Sequence, residues 1–253
     1  MPEPRRTEPA GKRQAALAAH LRGGVRIVAV GSFVGGSLAA GREQGWDILG
    51  VDPGKEVADF CRKRGLPVLQ GTLQEAPLAP GSVDCVVAWN TFDQMPDPGA
   101  LLARAQTLLR PDGRLLVRVP NGACFRLGVA GYRKCRHTFL RPFADLLLCA
   151  MAWNNLLAFP YLFGYSVPTL DRLMSAYGLT RSAVHADTLV RLADAATLSW
   201  AAWEERSIKF ACRLLARLEG LRSAASSSCA PWIDVTYRAG SGHACLPQGA
   251  VTV

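Results

Sequence analysis

Residues 25–38 read VRIVAVGSFVGGSL. Val25 to Val30 is a short, nearly continuous apolar run, as an inner parallel strand covered on both faces requires. Gly31, Gly35 and Gly36 then supply a turn, and a helix is predicted from about Gly35 to Gln44, stopped at Gly45. Glycine lets backbone approach a ligand closely, and a helix N-terminus favours negative charge. A nucleotide-type cofactor site commonly begins this way. One residue resists the reading: Phe33 stands where such turns carry glycine.

Outward from this stretch the pattern alternates. WDILGVD (46–52) is a second strand ending on Asp52, and Pro53 opens a helix that runs to Arg64 and stops at Gly65. LPVLQGT (66–72) is a third strand, APLAPGS (76–82) a turn-rich loop and VDCVVAWN (83–90) a fourth strand. GALLARAQTLLR (99–110) has helical spacing, PDG (111–113) is a turn, and RLLVRVPN (114–121) is a fifth strand. After Asn121 the alternation pauses in aromatic, basic and apolar sequence. VPTLDRLMSAYG (167–178) then reads as a helix and LTRSAVHADTLV (179–190) as a sixth strand. Residues 195–219 form a long helix whose stripe of Trp200, Trp203, Ser207, Phe210, Leu214 and Leu218 is expected in the core. APWIDVTYR (230–238) is the last strand. Strands alternating with helices predict an α/β fold on a parallel sheet. The expected organisation is a disordered tail and short helix over 1–24, a cofactor-binding half over 25–121, a helical or loop insert serving as substrate lid over 122–167, and completion of the same domain over 168–253.

The 253-residue chain is 49% hydrophobic, ample for a packed core, and carries a formal charge of +9. The basic residues are scattered, the densest group being YRKCRHTFLR (132–141), so a solvated surface is expected rather than a nucleic-acid site. Eight cysteines form no C-x-x-C pair, and no signal-peptide pattern is present, which predicts a reducing, cytoplasmic setting. Cys124, Cys135 and His137 lack a fourth ligand at a sensible spacing, so no metal is expected. FADLLLCAMAWNNLLAFPYLFGY (143–165) is the most apolar stretch, but Asp145, Asn154, Asn155 and Pro160 interrupt it. A span needs roughly 20 nearly unbroken apolar residues, so a buried hairpin or substrate cover is expected, and membrane association is not favoured.

In an open α/β sheet, ligands bind beyond the carboxyl ends of the strands. Asp52 lies about 20 residues after the glycine turn, a spacing at which a carboxylate accepts from both ribose hydroxyls; its alternative role is to cap the next helix. AWNTFDQMPDP, from Ala88, leaves the fourth strand like a site rim, with Asp97 starting a helix.

In this order the pieces resemble the class I S-adenosylmethionine-dependent methyltransferases, and most of all the bacterial small-molecule branch related to ubiquinone-biosynthesis O-methyltransferases. The resemblance is carried by the acidic end of strand two, GTLQEAPL after strand three, FDQMPDP after strand four and LLRPDGRLLVRVPN, with FGYSVPTLDRLMSAYGL as a looser match. It implies a Rossmann-like seven-stranded sheet of order 3-2-1-4-5-7-6, the last strand antiparallel, with a helical insert after strand five. It implies S-adenosylmethionine as cofactor, methyl transfer to a small, partly apolar acceptor, and these roles by position. Gly31, Ser32, Phe33 and Gly35 underlie the methionine part, Asp52 holds the ribose, Thr72 and Leu73 lie by the adenine, and Asn90 walls the methionyl side. His137 in the insert is the candidate base, and Tyr132, Arg133, Trp153 and Tyr165 shape the acceptor pocket.

The sequence departs from the family's D-x-G-C-G-x-G at Ala29 and Phe33, has Thr72 where an acid is common, and has Asp93-Gln94 for Glu-His. Each lost polar contact to a charged group costs ~1.5–3 kcal/mol, and two weaken binding roughly 100-fold or more. The reading keeps cofactor binding with altered contacts; its alternative is a non-catalytic, methyltransferase-like binding or regulatory protein. A nicotinamide oxidoreductase predicts G-x-G-x-x-G, and GSFVGG lacks its second glycine.

Overall fold

Alternate residues of the first strand, β1 (Arg26–Val30), serve two different layers: Val28 and Val30 join one apolar core, Ile27 and Ala29 another. The computed structural model describes residues 25–157, 161–187, 203–222 and 230–240. The expected tail and short helix over 1–24, the last residues of the sixth strand over 188–190, and the start of the long helix over 195–202 with Trp200 lie outside these residues. β1 is followed by α1 (Gly36–Glu43), β2 (Asp47–Asp52), α2 (Lys55–Lys63), β3 (Val68–Gln70) and β4 (Val83–Trp89). Next come α3 (Pro98–Leu108), β5 (Leu109–Pro120), α4 (Gly122–Cys135), α5 (Arg141–Trp153), α6 (Val167–Ser175), β6 (Leu179–Asp187), α7 (Trp203–Arg222) and β7 (Trp232–Ala239).

The seven strands form one sheet of order β3-β2-β1-β4-β5-β7-β6. β1 through β5 pair in parallel, and β7 runs antiparallel to both β5 and β6. The expected order and the antiparallel last strand are what the structure shows. On one face, Leu101, Leu102, Ala105 and Leu108 of α3 and Leu170 and Met174 of α6 meet Val28, Val86, Leu115 and Val117. On the other, Leu38 of α1 and Ala58 and Cys61 of α2 cover Ile27, Ile48 and Val87. β1 and β4 need apolar side chains on both faces because both layers are filled, which is why they read as near-continuous apolar runs.

Two sequence expectations change. The helix expected to Arg110 ends at Leu108, and Leu109 already pairs with Val83. The next pair is Cys85 with Arg114, so Pro111-Asp112-Gly113 bulges out of β5, with Asp112 left-handed at φ 65°. The turn chemistry is real, but it interrupts a strand instead of preceding one. The stripe on α7 is not core: Trp203, Phe210, Leu214 and Leu218 are exposed. A 3.6-residue apolar stripe is buried only where a layer covers it. α7 packs on α5 and β6 by another side, where Lys209 is buried.

The insert is helical, as expected, but the buried hairpin expected over 143–165 is not what forms. Among the described residues that stretch holds only one helix, α5; Phe143, Leu146, Leu148 and Leu162 are exposed, and the partner helix is α4. α4 and α5 form a hairpin, packed closely where Gly128 faces Met151 and Gly131 faces Leu147. Its base is tied to the sheet. The Gly122 N–H donates to the Tyr165 carbonyl at 2.6 Å, the Asn121 side chain donates to the Ala230 carbonyl, and the Trp232 indole donates to the Asn154 carbonyl at 2.8 Å. Among the described residues no helix is long and apolar enough to cross a membrane.

Candidate cofactor and acceptor site

β1 lies between β2 and β4, so the connections from its neighbours leave in opposite directions. That divergence opens a crevice at the carboxyl ends of these strands, where α/β sheets bind ligands. The glycine turn forms its floor. Gly31, Phe33 and Gly35 all take left-handed backbone, at φ 74°, 46° and 75°. Phe33 does so without glycine's freedom, a conformation that costs an L-residue roughly 1–2 kcal/mol.

The turn is held by its own amides. Gly31 N–H donates to the Val51 carbonyl, Gly35 N–H to the Ser32 carbonyl, and Phe33 N–H to Asp52 Oδ2 at 3.1 Å. These three donors are therefore spent inside the protein, unlike those of a turn that cradles an anion. Gly31 is needed for another reason: a Cβ there would fall on the Thr91 side chain. Ser32 turns its hydroxyl toward Gly50, beneath the turn, where it is buried without a partner. Phe33 is 71% exposed, so its side chain is turned to solvent and not into the core.

Asp52 is the hinge of this arrangement. Its Oδ1 accepts from Gly54 N–H at 2.9 Å while Oδ2 accepts from Phe33. Gly54, not Asp52, is the N-cap of α2. An ionised carboxylate has about four acceptor positions, so about two remain for ligand hydroxyls. Cys61 adds a second clasp, its thiol donating to the Phe33 carbonyl at 3.4 Å. Burial, and then the Asp52 charge, push that thiol's pKa up.

Beyond β3, Gly71 N–H donates to the Asp52 carbonyl, and Thr72 N–H donates to Glu75 Oε2 at 2.7 Å. That bond holds the Glu75 carboxyl below its ordinary range. Thr72 is exposed, and the Leu73 side chain is buried in the α3 layer, so only its backbone can meet a ligand.

Beyond β4, Asn90 is left-handed at φ 56°, and its buried Oδ1 has no partner. Three residues on, both carboxylate oxygens of Asp93 are buried without partners, and burial raises its pKa to about 6. The Asp93 carbonyl accepts from Leu162 and Phe163 N–H, which draws the end of the insert over β4. Phe92, Tyr165 and Phe163 stack there, at 5.2 and 5.6 Å between ring centroids. Burial, with Asp93 second, lifts the Tyr165 phenol to about 12.

The insert residues divide. Tyr165 joins the β4 end, and Trp153 sits beside Asn154, where α5 returns to the sheet. Tyr132, Arg133 and His137 lie at and just beyond the far end of α4. α4 has 14 residues, which is about 21 Å of helix, and it leaves the sheet at Gly122. Tyr132 and Arg133 lie in its last turn, and His137 is exposed in the turn that follows. The sequence places Asp93 in the FDQMPDP rim and as a departure from the family pair; the structure buries it, with Asp52, at the strand ends. Nothing in the sequence signals that Thr91 covers Gly31.

The partnerless Asn90 Oδ1 and the spare acceptor capacity of Asp52 fit a polar nucleoside at these strand ends. Ala29, buried against α1 and α2, offers nothing to an amino group.

The family model described as a methyltransferase domain matches residues 3–204. An uncharacterized methyltransferase of Mycobacterium tuberculosis is 35% identical over 96 residues, 36% of this chain and 37% of that protein. A S-adenosylmethionine-dependent methyltransferase from Archaeoglobus fulgidus superposes with a TM-score of 0.57 at 14% identity, over 90% of this chain and 92% of the other. The geranyl diphosphate C-methyltransferase of Streptomyces coelicolor, solved with Mg2+, geranyl diphosphate and S-adenosyl-L-homocysteine, gives a TM-score of 0.52 at 18% identity, over 91% and 79%. Identities this low speak for the fold alone. The matches to curated relatives span from 26% to 59% of those proteins' own length. The sheet order, the acidic end of β2 and the family match place this chain in the methyltransferase-domain family, within the class I S-adenosylmethionine-dependent superfamily.

Proposed function

We propose that this chain transfers a methyl group from S-adenosylmethionine to a small, partly apolar acceptor held under the base of the helical insert. The observation that carries this is the Asp52 carboxylate at the end of β2, bonded to the glycine turn with acceptor capacity to spare while the Phe33 side chain is turned to solvent. Asp52 takes the ribose hydroxyls with its remaining lone pairs. The backbone of Thr72 and Leu73 borders the adenine. The backbone of Gly31, Ser32, Phe33 and Gly35 lies under the methionine part, and Asn90 Oδ1 accepts from its polar end.

The bound cofactor would supply a methyl group already activated on a sulfonium. What remains for the chain is to hold the acceptor in line and exclude water. Phe163 and Trp153, both half-buried, offer an aromatic surface for that acceptor, and Phe92 and Tyr165 pack beneath Phe163 in the core. Where the acceptor must lose a proton and its binding uncovers the buried Asp93 carboxylate, Asp93 is the group to take it: a carboxyl with a pKa near 6 is mostly ionised at neutral pH and still basic enough to be useful. This assigns to Asp93 the role that the sequence reading gave to His137.

The test supplies methyl-labelled S-adenosylmethionine and fractionated small-molecule extract to the purified chain. Label should pass into an apolar, low-mass product. Asp52→Ala should abolish transfer, and Asp93→Asn should lower kcat at least ~100-fold and remove the acidic limb of its pH profile. A folded, cofactor-binding protein that labels nothing would speak against catalysis. One observation favours the second reading, a binding or regulatory domain: three amides of the glycine turn are used internally. That reading predicts no affinity for the cofactor.

A further inference from the structure

We propose that the tip of the α4–α5 hairpin docks on the surface of an anionic phospholipid bilayer without crossing it. Residues 136–143, RHTFLRPF, are exposed without interruption. Phe139 is 91% exposed, and Leu140 and Phe143 are also largely uncovered. Large apolar side chains presented together at a projecting tip mark an interaction surface, not scatter.

The tip is not frayed. Thr138 organises it: its hydroxyl donates to the Cys135 carbonyl at 2.9 Å and accepts from Leu140 N–H at 3.1 Å. Arg141 N–H donates to the Thr138 carbonyl and Phe143 N–H to the Leu140 carbonyl. Phe139 and Leu140 are therefore held outward by a bonded turn. α4 runs 14 residues from Gly122 to this turn, about 21 Å of helix, which sets the tip at the other end of the hairpin from its anchored base.

Charge selects the occupant. Between residues 122 and 157 stand Arg126, Arg133, Lys134, Arg136 and Arg141, against the single carboxylate of Asp145. All five cations are exposed. Two aromatics and a leucine at the apex, ringed by cations, match a bilayer whose headgroups are negative and whose interior is apolar. A second copy of the chain would bring the same cations face to face. α5 is too short to span, so the contact is interfacial.

The experiment incubates the full chain with vesicles of equal parts phosphatidylcholine and phosphatidylglycerol, or of phosphatidylcholine alone, and sediments them. The chain should pellet with the anionic vesicles, weakly with the neutral ones, and less as salt rises. Phe139→Ser with Phe143→Ser should lower partitioning at least ~10-fold. Arg136→Gln with Arg141→Gln should lower it about tenfold on anionic vesicles only. These side chains are exposed, so circular dichroism should show the fold retained; Phe139→Ser alone is the milder variant. Wild-type protein that stays in the supernatant with anionic vesicles overturns the proposal. So does binding that neither pair of substitutions changes, or sedimentation-velocity self-association that the Phe pair abolishes in the absence of lipid binding.

Discussion

Phe33 is strained in its backbone and idle in its ring. It holds φ 46° because its N–H and carbonyl are clasped by Asp52 and Cys61. Phe33→Gly should therefore raise stability by about 1 kcal/mol in urea denaturation. It should leave cofactor affinity within about threefold, because the ring is already outside the crevice. Asp52→Asn offers one acceptor oxygen where two are used; stability should drop by ~1 kcal/mol and cofactor binding weaken at least ~10-fold. Asp93 acts in the opposite sense. Its folded pKa of about 6 lies above the ordinary 3.8, so the folded chain binds more protons than the unfolded one between those values. Stability should fall as pH rises through that window and level off above it. Asp93→Asn should remove this slope and stabilise the chain at pH 7 by ~1–3 kcal/mol; melting curves that keep the wild-type pH dependence would contradict the assignment. At this scale the sequence shows where Asp52 and the glycine turn fall, because strand, turn and helix leave a local pattern. It does not show that Phe33 points out, Ser32 toward Gly50 and Leu73 into the core. Those directions depend on neighbours far along the chain.

Elements were the most legible level, and their misreadings have physical causes. β1, β2 and β4 declare themselves because both faces are buried. The break in β5 was read as a turn before a strand because Pro-Asp-Gly is turn chemistry wherever it occurs; only pairing with β4 shows that the strand resumes across it. The α7 stripe reads as core because periodicity reports an apolar face and not whether anything covers it. The insert is legible only as a helical or loop segment; neither its first helix nor its closure shows in the sequence. That closure hangs on Gly122, where an added Cβ would meet the Gly164 and Tyr165 backbone carbonyls. Backbone cannot step aside as a flexible side chain does. Gly122→Ala should cost ~1–3 kcal/mol and part the insert's two ends. Reduced near-ultraviolet dichroism from Trp232 and Tyr165 with unchanged helix content would show it; a variant as stable as the parent would count against this junction.

Across the whole molecule, the sheet's two halves are joined by a buried ion pair. Arg118 of β5 meets Asp234 of β7 at 2.9 and 3.2 Å, with its guanidinium over Trp89 at 5.1 Å and Trp232 at 5.3 Å. The pair links the parallel strands to the antiparallel one, beside the point where the insert is anchored. Removing one partner strands a buried charge, so Asp234→Ala should cost ~3–5 kcal/mol, seen as a lower melting temperature. The central claim is that this scaffold retains a cofactor crevice although Ala29 and Phe33 replace the family's polar and glycine positions. Isothermal calorimetry of S-adenosylmethionine against the folded full chain tests it most directly. A saturable heat with a dissociation constant below ~1 mM, lost in Asp52→Ala, is the predicted result. A flat titration at millimolar ligand, with the protein folded throughout, would leave only the architecture of a methyltransferase.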